Sequence, residues 1–257
     1  WIPRVLATSS VSTLALGYDA WIPAEGAEVT RNFGESNVKL DISEIAESIE
    51  YSGIELDYIL FDACFMSNIE AVYDLRNSAK YIIASPCEIM GKGFPYHRTL
   101  PHLFGESYNL RSAAESYYLF YRDEYNSSAR CGSVALYDCA EVEALAEATK
   151  LVMQSANLDI DTSTLQTYEG QAVHHFYDFG EWVRSVATDS EALKAFDEQL
   201  NRTVIAKFTL PTFYSAYGSY GTYDINEEVY SGVTTSAPSE AYPVEWRESN
   251  WYKATMP

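Results

Sequence analysis

One cysteine sits where a reactive thiol is useful. In Phe61-Asp62-Ala63-Cys64-Phe65-Met66-Ser67 the apolar run Tyr58 to Phe61 gives way to a cysteine and then to polar residues. Read as a strand, that run delivers the thiol of Cys64 to its C-terminal end, the edge at which open parallel sheets bind ligands. Ser67 with Glu70 reads as a capping box, so a helix should follow, and its positive N-terminus favours the thiolate, the form that attacks. The chemistry open to such a group is acyl transfer through a covalent intermediate. A free cysteine is also commonly a small buried hydrophobe, and on position alone both readings stand.

Other chemistry-bearing residues cluster nearby in sequence. Asp62 lies two residues before Cys64, and a second apolar run, Tyr81 to Ala84, leads to Cys87 and Glu88. Neighbouring parallel strands stand about 4.8 Å apart, so Cys87 should stand near Cys64 as a spectator, and Glu88 beside Asp62. The four histidines are His97 and His102, just beyond Pro95-Tyr96, and His174 and His175, on an expected helix.

The elements that must position these groups alternate. Asp41 with Glu44 caps a helix whose apolar face is Ile42, Ile45 and Ile49. The strand at Tyr58–Phe61, a helix with Ile69, Val72, Tyr73 and Leu75 on one face, and the strand at Tyr81–Ala84 make a βαβ unit, whose crossover is right-handed. Asn109 caps a helix to Arg122, Val134–Tyr137 is a third strand, and Asp138 with Glu141 caps a helix ending near Met153. Further helices are expected near Ala172–Val186 and Glu191–Ile205, and turn-rich strands in the tail. Residues 1–36 read as a long surface loop with short strands, carrying Trp-Ile-Pro twice, and the whole of 1–257 as a single α/β domain.

Charge and cysteine usage narrow the function. A net charge of −20 repels phosphate backbones and anionic membranes and favours cationic partners, so nucleic acid is excluded and a basic peptide fits. No apolar run reaches the roughly 20 residues that span a bilayer. No signal-like segment opens the chain, although Trp1 is not an initiating Met. Cys131 and Cys139 flank a strand and stand roughly 25 Å apart if extended, far beyond disulfide reach. No spacing suggests zinc, and Asp159 and Asp161 lack the ligand pattern of a calcium loop. Tyr117, Tyr118 and Tyr121 at helical spacing read as packing, against a sugar-binding face.

Phe61 to Ser67, the Glu70-Ala71-Val72-Tyr73-Asp74-Leu75-Arg76 helix, the Tyr81 to Pro86 strand, Glu88 and the Gly91-Lys92-Gly93-Phe94-Pro95-Tyr96 loop together resemble the clostripain family of cysteine peptidases, continuously over roughly residues 31–104. The resemblance implies a caspase-like α/β/α sandwich around a mostly parallel sheet, a Cys-His dyad with Cys64 as nucleophile, and cleavage after Arg or Lys. Asp62 falls on an acidic position that resembles part of the pocket for the basic side chain, with Glu88 as its companion. It also implies secretion or a cell-surface location. No cofactor is expected, with calcium entering only through the family, and a cleaved N-terminal fragment of the protein itself is an expected partner. The departure is the histidine: the family's His-Gly, followed closely by Trp and Pro, has no counterpart, and the chain opens at Trp1-Ile2-Pro3 as if just after it. An inactive caspase-like module that binds a basic peptide or protein is the alternative.

Overall fold

A computed structural model describes residues 13–17, 32–33, 40–104, 107–216, 219–237 and 243–257. Strands β1 (Thr13–Gly17) and β2 (Asn32–Phe33) fall within the expected long loop, whose remainder, both Trp-Ile-Pro copies included, lies outside the described residues. β2 pairs antiparallel with β3 (Leu40–Asp41). Helix α1 (Ile42–Ser52) opens with the Glu44 carboxylate accepting the Asp41 N–H at 2.8 Å; Ile42 is buried, and Ile45 and Ile49 pack against the core.

Strand β4 (Leu56–Asp62) explains why its apolar run does not alternate. Ile59 and Phe61 enter one core and Tyr58 and Leu60 the other, and all four are fully buried. A strand covered on both faces is apolar throughout, and each such side chain contributes about 1.5–3 kcal/mol. Helix α2 (Ile69–Asp74) has only six residues, and its cap is Asn68, whose side chain accepts the Glu70 N–H at 3.1 Å. Ser67 is therefore not the cap. It is fully buried, and its hydroxyl meets Ala84 O, Gly232 O and the Tyr137 hydroxyl. Strand β5 (Ala79–Ala84) completes the βαβ unit parallel to β4, with Leu60 opposite Ile83.

Helix α3 (Tyr96–Leu103) was hidden by Pro95 at its cap and Pro101 in its last turn, residues that read as loop signals. Helix α4 (Leu110–Asp123) starts at Asn109 as expected, the Asn109 side chain accepting the Ser112 N–H. After β6 (Val134–Asp138), Asp138 opens a 3-10 turn over Cys139–Glu141 rather than the helix itself, and α5 (Val142–Met153) follows. The Glu141 carboxylate accepts from the Gln199 amide instead of closing a capping box.

The helix expected from Ala172 begins only after β7 (Tyr177–Asp178): Asp178 accepts the Glu181 N–H at 2.9 Å and starts α6 (Phe179–Val186) there. His174 and His175 accordingly lie in a loop. Helix α7 (Ser190–Thr203) hands over at Val204 to β8 (Val204–Phe208), so Ile205 is in a strand. The tail holds a hairpin of β9 (Thr212–Ser215) and β10 (Gly221–Asp224), then β11 (Thr234–Thr235), which pairs with β7. It ends in two unexpected helices, α8 (Pro243–Glu248) and α9 (Asn250–Thr255), the second anchored by Trp251, buried edge-on to Tyr73 and Phe179.

The central sheet runs β1-β4-β5-β6-β8. β1, β4 and β5 are parallel, β6 is antiparallel to both neighbours, and β8 therefore points with the first three. Four of the five strands share one direction. The core on one face takes side chains from α1, α2, α5, α6, α7 and α9, and the core on the other takes them from α3, α4 and the β9–β10 hairpin. This is the three-layer α/β/α sandwich of the caspase-like kind. All four cysteines are free, with Cys131 and Cys139 near opposite ends of β6.

Candidate active site

Cys64 stands two residues beyond the end of β4. The chain does not pass straight into α2. Phe65 adopts φ +58°, a left-handed conformation costly for a non-glycine residue, and turns the backbone sharply after the thiol. Two main-chain bonds hold that turn against the continuation of β5: Phe65 N–H to Cys87 O at 3.0 Å and Ser67 N–H to Ser85 O at 2.9 Å. The Cys64 sulfur accepts the Ile89 N–H at 3.2 Å. At 9% exposure Cys64 is the most accessible of the four cysteines; Cys87 and Cys131 are at 0%. The thiolate-stabilising helix end expected here is absent, because α2 starts five residues later, is short, and has its first turn capped by Asn68, whereas a helix dipole acts only within its terminal turn.

Cys87 is a packing group. Its carbonyl serves the turn after Cys64, while burial pushes its thiol well up.

Asp62 is half-buried at the end of β4, and the loop after β5 closes over it. Its Oδ1 accepts the Phe94 N–H at 3.1 Å and its Oδ2 accepts the Tyr96 hydroxyl at 2.9 Å. Gly93, at φ +64°, permits this approach: a Cβ there would lie 2.7 Å from Oδ2 and 2.8 Å from Oδ1. Tyr121 donates to Gly93 O at 3.0 Å and ties the loop to α4. The Gly-x-Gly-aromatic-Pro-Tyr motif is legible in the sequence, but its grip on Asp62 arises only in the fold.

Glu88 holds a second loop. Its carboxylate accepts the Ser215 hydroxyl at 2.5 Å and the Ala216 N–H at 3.0 Å, so it secures the β9–β10 connection. Ser215 Oγ also accepts the Gly170 N–H, linking that connection to the loop over residues 168–177. Asp62 and Glu88 thus serve two different loops that converge on the strand ends.

The 168–177 loop was not found from sequence. Its organiser is Glu169, a carboxylate with a fully buried side chain that accepts the His175 N–H at 2.7 Å and faces His174 Nδ1 at 3.2 Å. The Glu169 hydrogen bond raises the His174 pKa. The loop carries Phe176 onto Phe65. The tail holds the turn from its other side: Thr234 N–H and hydroxyl both donate to Ser67 O, at 2.8 and 3.1 Å. Of the other histidines, His97 is exposed on α3 with its ring edge-on to Phe120, and His102 lies in the last turn of α3. Among the described residues no group of three His, Cys, Asp or Glu is gathered as a metal site would require, and no described helix is long and apolar enough to cross a membrane.

This fold has solved counterparts. A clostripain from Bacteroides thetaiotaomicron, in complex with the peptide inhibitor BTN-VLTK-AOMK, is 35% identical, with 87% of this chain and 98% of that chain covered at a TM-score of 0.80. A secreted C11 cysteine protease from the same organism, iotapain, is 34% identical over 95% of this chain and 70% of its own, at 0.82. An inactive zymogen C11 protease from Parabacteroides distasonis is 29% identical over 96% and 71%, at 0.80. No curated protein sequence matches. The model of the Clostripain family, Peptidase C11, matches residues 18–239. The chain therefore belongs to the clostripain family of cysteine peptidases.

Proposed function

We propose that this peptidase is an endopeptidase that cuts after Arg or Lys, with Cys64 as its nucleophile and Asp62 as the anion that holds the basic side chain. The observation that supports it best is the pairing of the two groups on one strand end: a thiol on a sharp turn, and a carboxylate two residues upstream whose orientation the Gly93–Tyr96 loop restrains. The solved relative's inhibitor carries the peptide VLTK, which ends in lysine. The net charge of −20 favours cationic substrates at long range, and a secreted relative agrees with action outside the cell.

In this mechanism an imidazole takes the Cys64 proton, the sulfur attacks the scissile carbonyl, the amine leaves with a proton from the imidazole, and water hydrolyses the thioester. The Cys64 N–H is a donor to the oxyanion, a contact typically worth about 2.7–4 kcal/mol. None of the four histidines precedes a glycine as in the family's His-Gly, so the test uses protein expressed from its complete gene. An arginine chloromethylketone should label Cys64, and Cys64→Ala should abolish labelling. A folded protein that resists the probe but still binds cationic peptide would be the inactive binding module instead.

A further inference from the structure

The Asp62 carboxylate receives one donor on each oxygen from a single short loop, Phe94 N–H on Oδ1 and the Tyr96 hydroxyl on Oδ2. Two donors on two oxygens restrain the plane of the group. The loop is itself restrained. Gly93 N–H bonds Met90 O at 2.7 Å, Tyr96 N–H bonds Phe94 O at 2.8 Å, and the Tyr121 hydroxyl holds Gly93 O. Phe94 is buried against Tyr117, and Tyr96 begins α3, so neither donor moves independently of the core.

Plane matters to one basic side chain and hardly to the other. A guanidinium makes two parallel hydrogen bonds only to a carboxylate lying in its own plane, while an ammonium is a point charge indifferent to that plane. We propose that Tyr96 is a positioning residue for specificity, holding the Asp62 carboxylate in the plane that an arginine side chain requires. The proposal rests on Asp62 being the anchor for the basic residue.

Matched peptides ending their acyl part in Arg or Lys, turned over by the full-length protein, test it. Tyr96→Phe keeps the ring and removes one charge-assisted hydrogen bond. It should lower kcat/KM for the Arg peptide about tenfold and for the Lys peptide about two- to threefold, through KM with kcat unchanged. Tyr121→Phe, which releases the loop one step further back, should shift the Arg/Lys ratio in the same direction by less. Because the ratio is taken within one sample, a smaller folded fraction cancels. Equal losses for the two peptides, or a fall confined to kcat, would overturn the positioning role. Asp62→Asn separates the two layers. If it leaves both peptides cleaved as before, the anchor reading fails; if it abolishes both while Tyr96→Phe leaves the ratio unchanged, only the role of Tyr96 fails.

Discussion

The ring of Phe176 lies flat on that of Phe65, with centroids 4.3 Å apart and planes 5° from parallel. Phe65 is the residue whose positive φ turns the chain after Cys64, so the stack presses on the strained bond of the site itself. The hydrogen bonds from Phe65 and Ser67 to the continuation of β5 fix one side of the turn, and the 168–177 loop fixes the other. Phe176→Ala should cost about 3–5 kcal/mol in urea unfolding, the usual range for a buried phenylalanine. It should also slow labelling of Cys64 more than Phe176→Leu, which refills the volume without the stack. Equal labelling rates for the two variants would show that volume alone matters.

The same loop makes stability depend on pH. His174 has its pKa raised in the folded state by Glu169, so its contribution is fully present below the unfolded histidine value of about 6.5 and is lost as pH rises through the higher folded value. Thermal melts should therefore show Tm falling from near-neutral to mildly alkaline pH, and His174→Gln should flatten that decline. An unchanged slope in the variant would assign the decline to other groups.

Ser67 joins three separate parts of the chain through one hydroxyl: Ala84 in β5, Tyr137 in β6 and Gly232 before β11. Ser67→Ala leaves the buried Tyr137 hydroxyl with only Gly232 O among these partners. A loss of about 1–3 kcal/mol is expected, read as a lower denaturation midpoint at constant m. A change below about 0.5 kcal/mol would mean that the network relaxes around the gap.

Cys87 separates packing from chemistry. Cys87→Ala should leave probe labelling at Cys64 in place while lowering stability modestly, because a fully buried thiol is replaced by a smaller side chain. If Cys87→Ala stopped labelling and Cys64→Ala did not, the nucleophile assignment would be reversed.

What local chemistry governs was legible in the chain. The strand ending before Cys64, the βαβ unit around it, and the starts of α1 and α4 follow from apolar runs and capping residues that act within a few positions of one another. The capping box at Ser67 misled for an instructive reason. Ser and Asn both cap, and the choice of Asn68 was settled when Ser67 was drawn into the core by Tyr137 and Gly232. The helix expected from Ala172 failed in the same way, because a buried Glu169 gathers the loop and Asp178 caps only from Phe179.

Site partners divide along that line. Cys64 stood out as a candidate because strand and thiol are contiguous in sequence, whereas Asp62 was singled out through the family resemblance. That Asp62 is gripped by Tyr96, Glu88 is taken by Ser215 and Ala216, and Phe65 is covered by Phe176 was decided by contacts between residues 34 to 128 positions apart. Periodicity and capping report on one turn or one strand at a time. Which loop each carboxylate holds depends on how the sheet order brings strand ends together, and that is visible only in the packed structure.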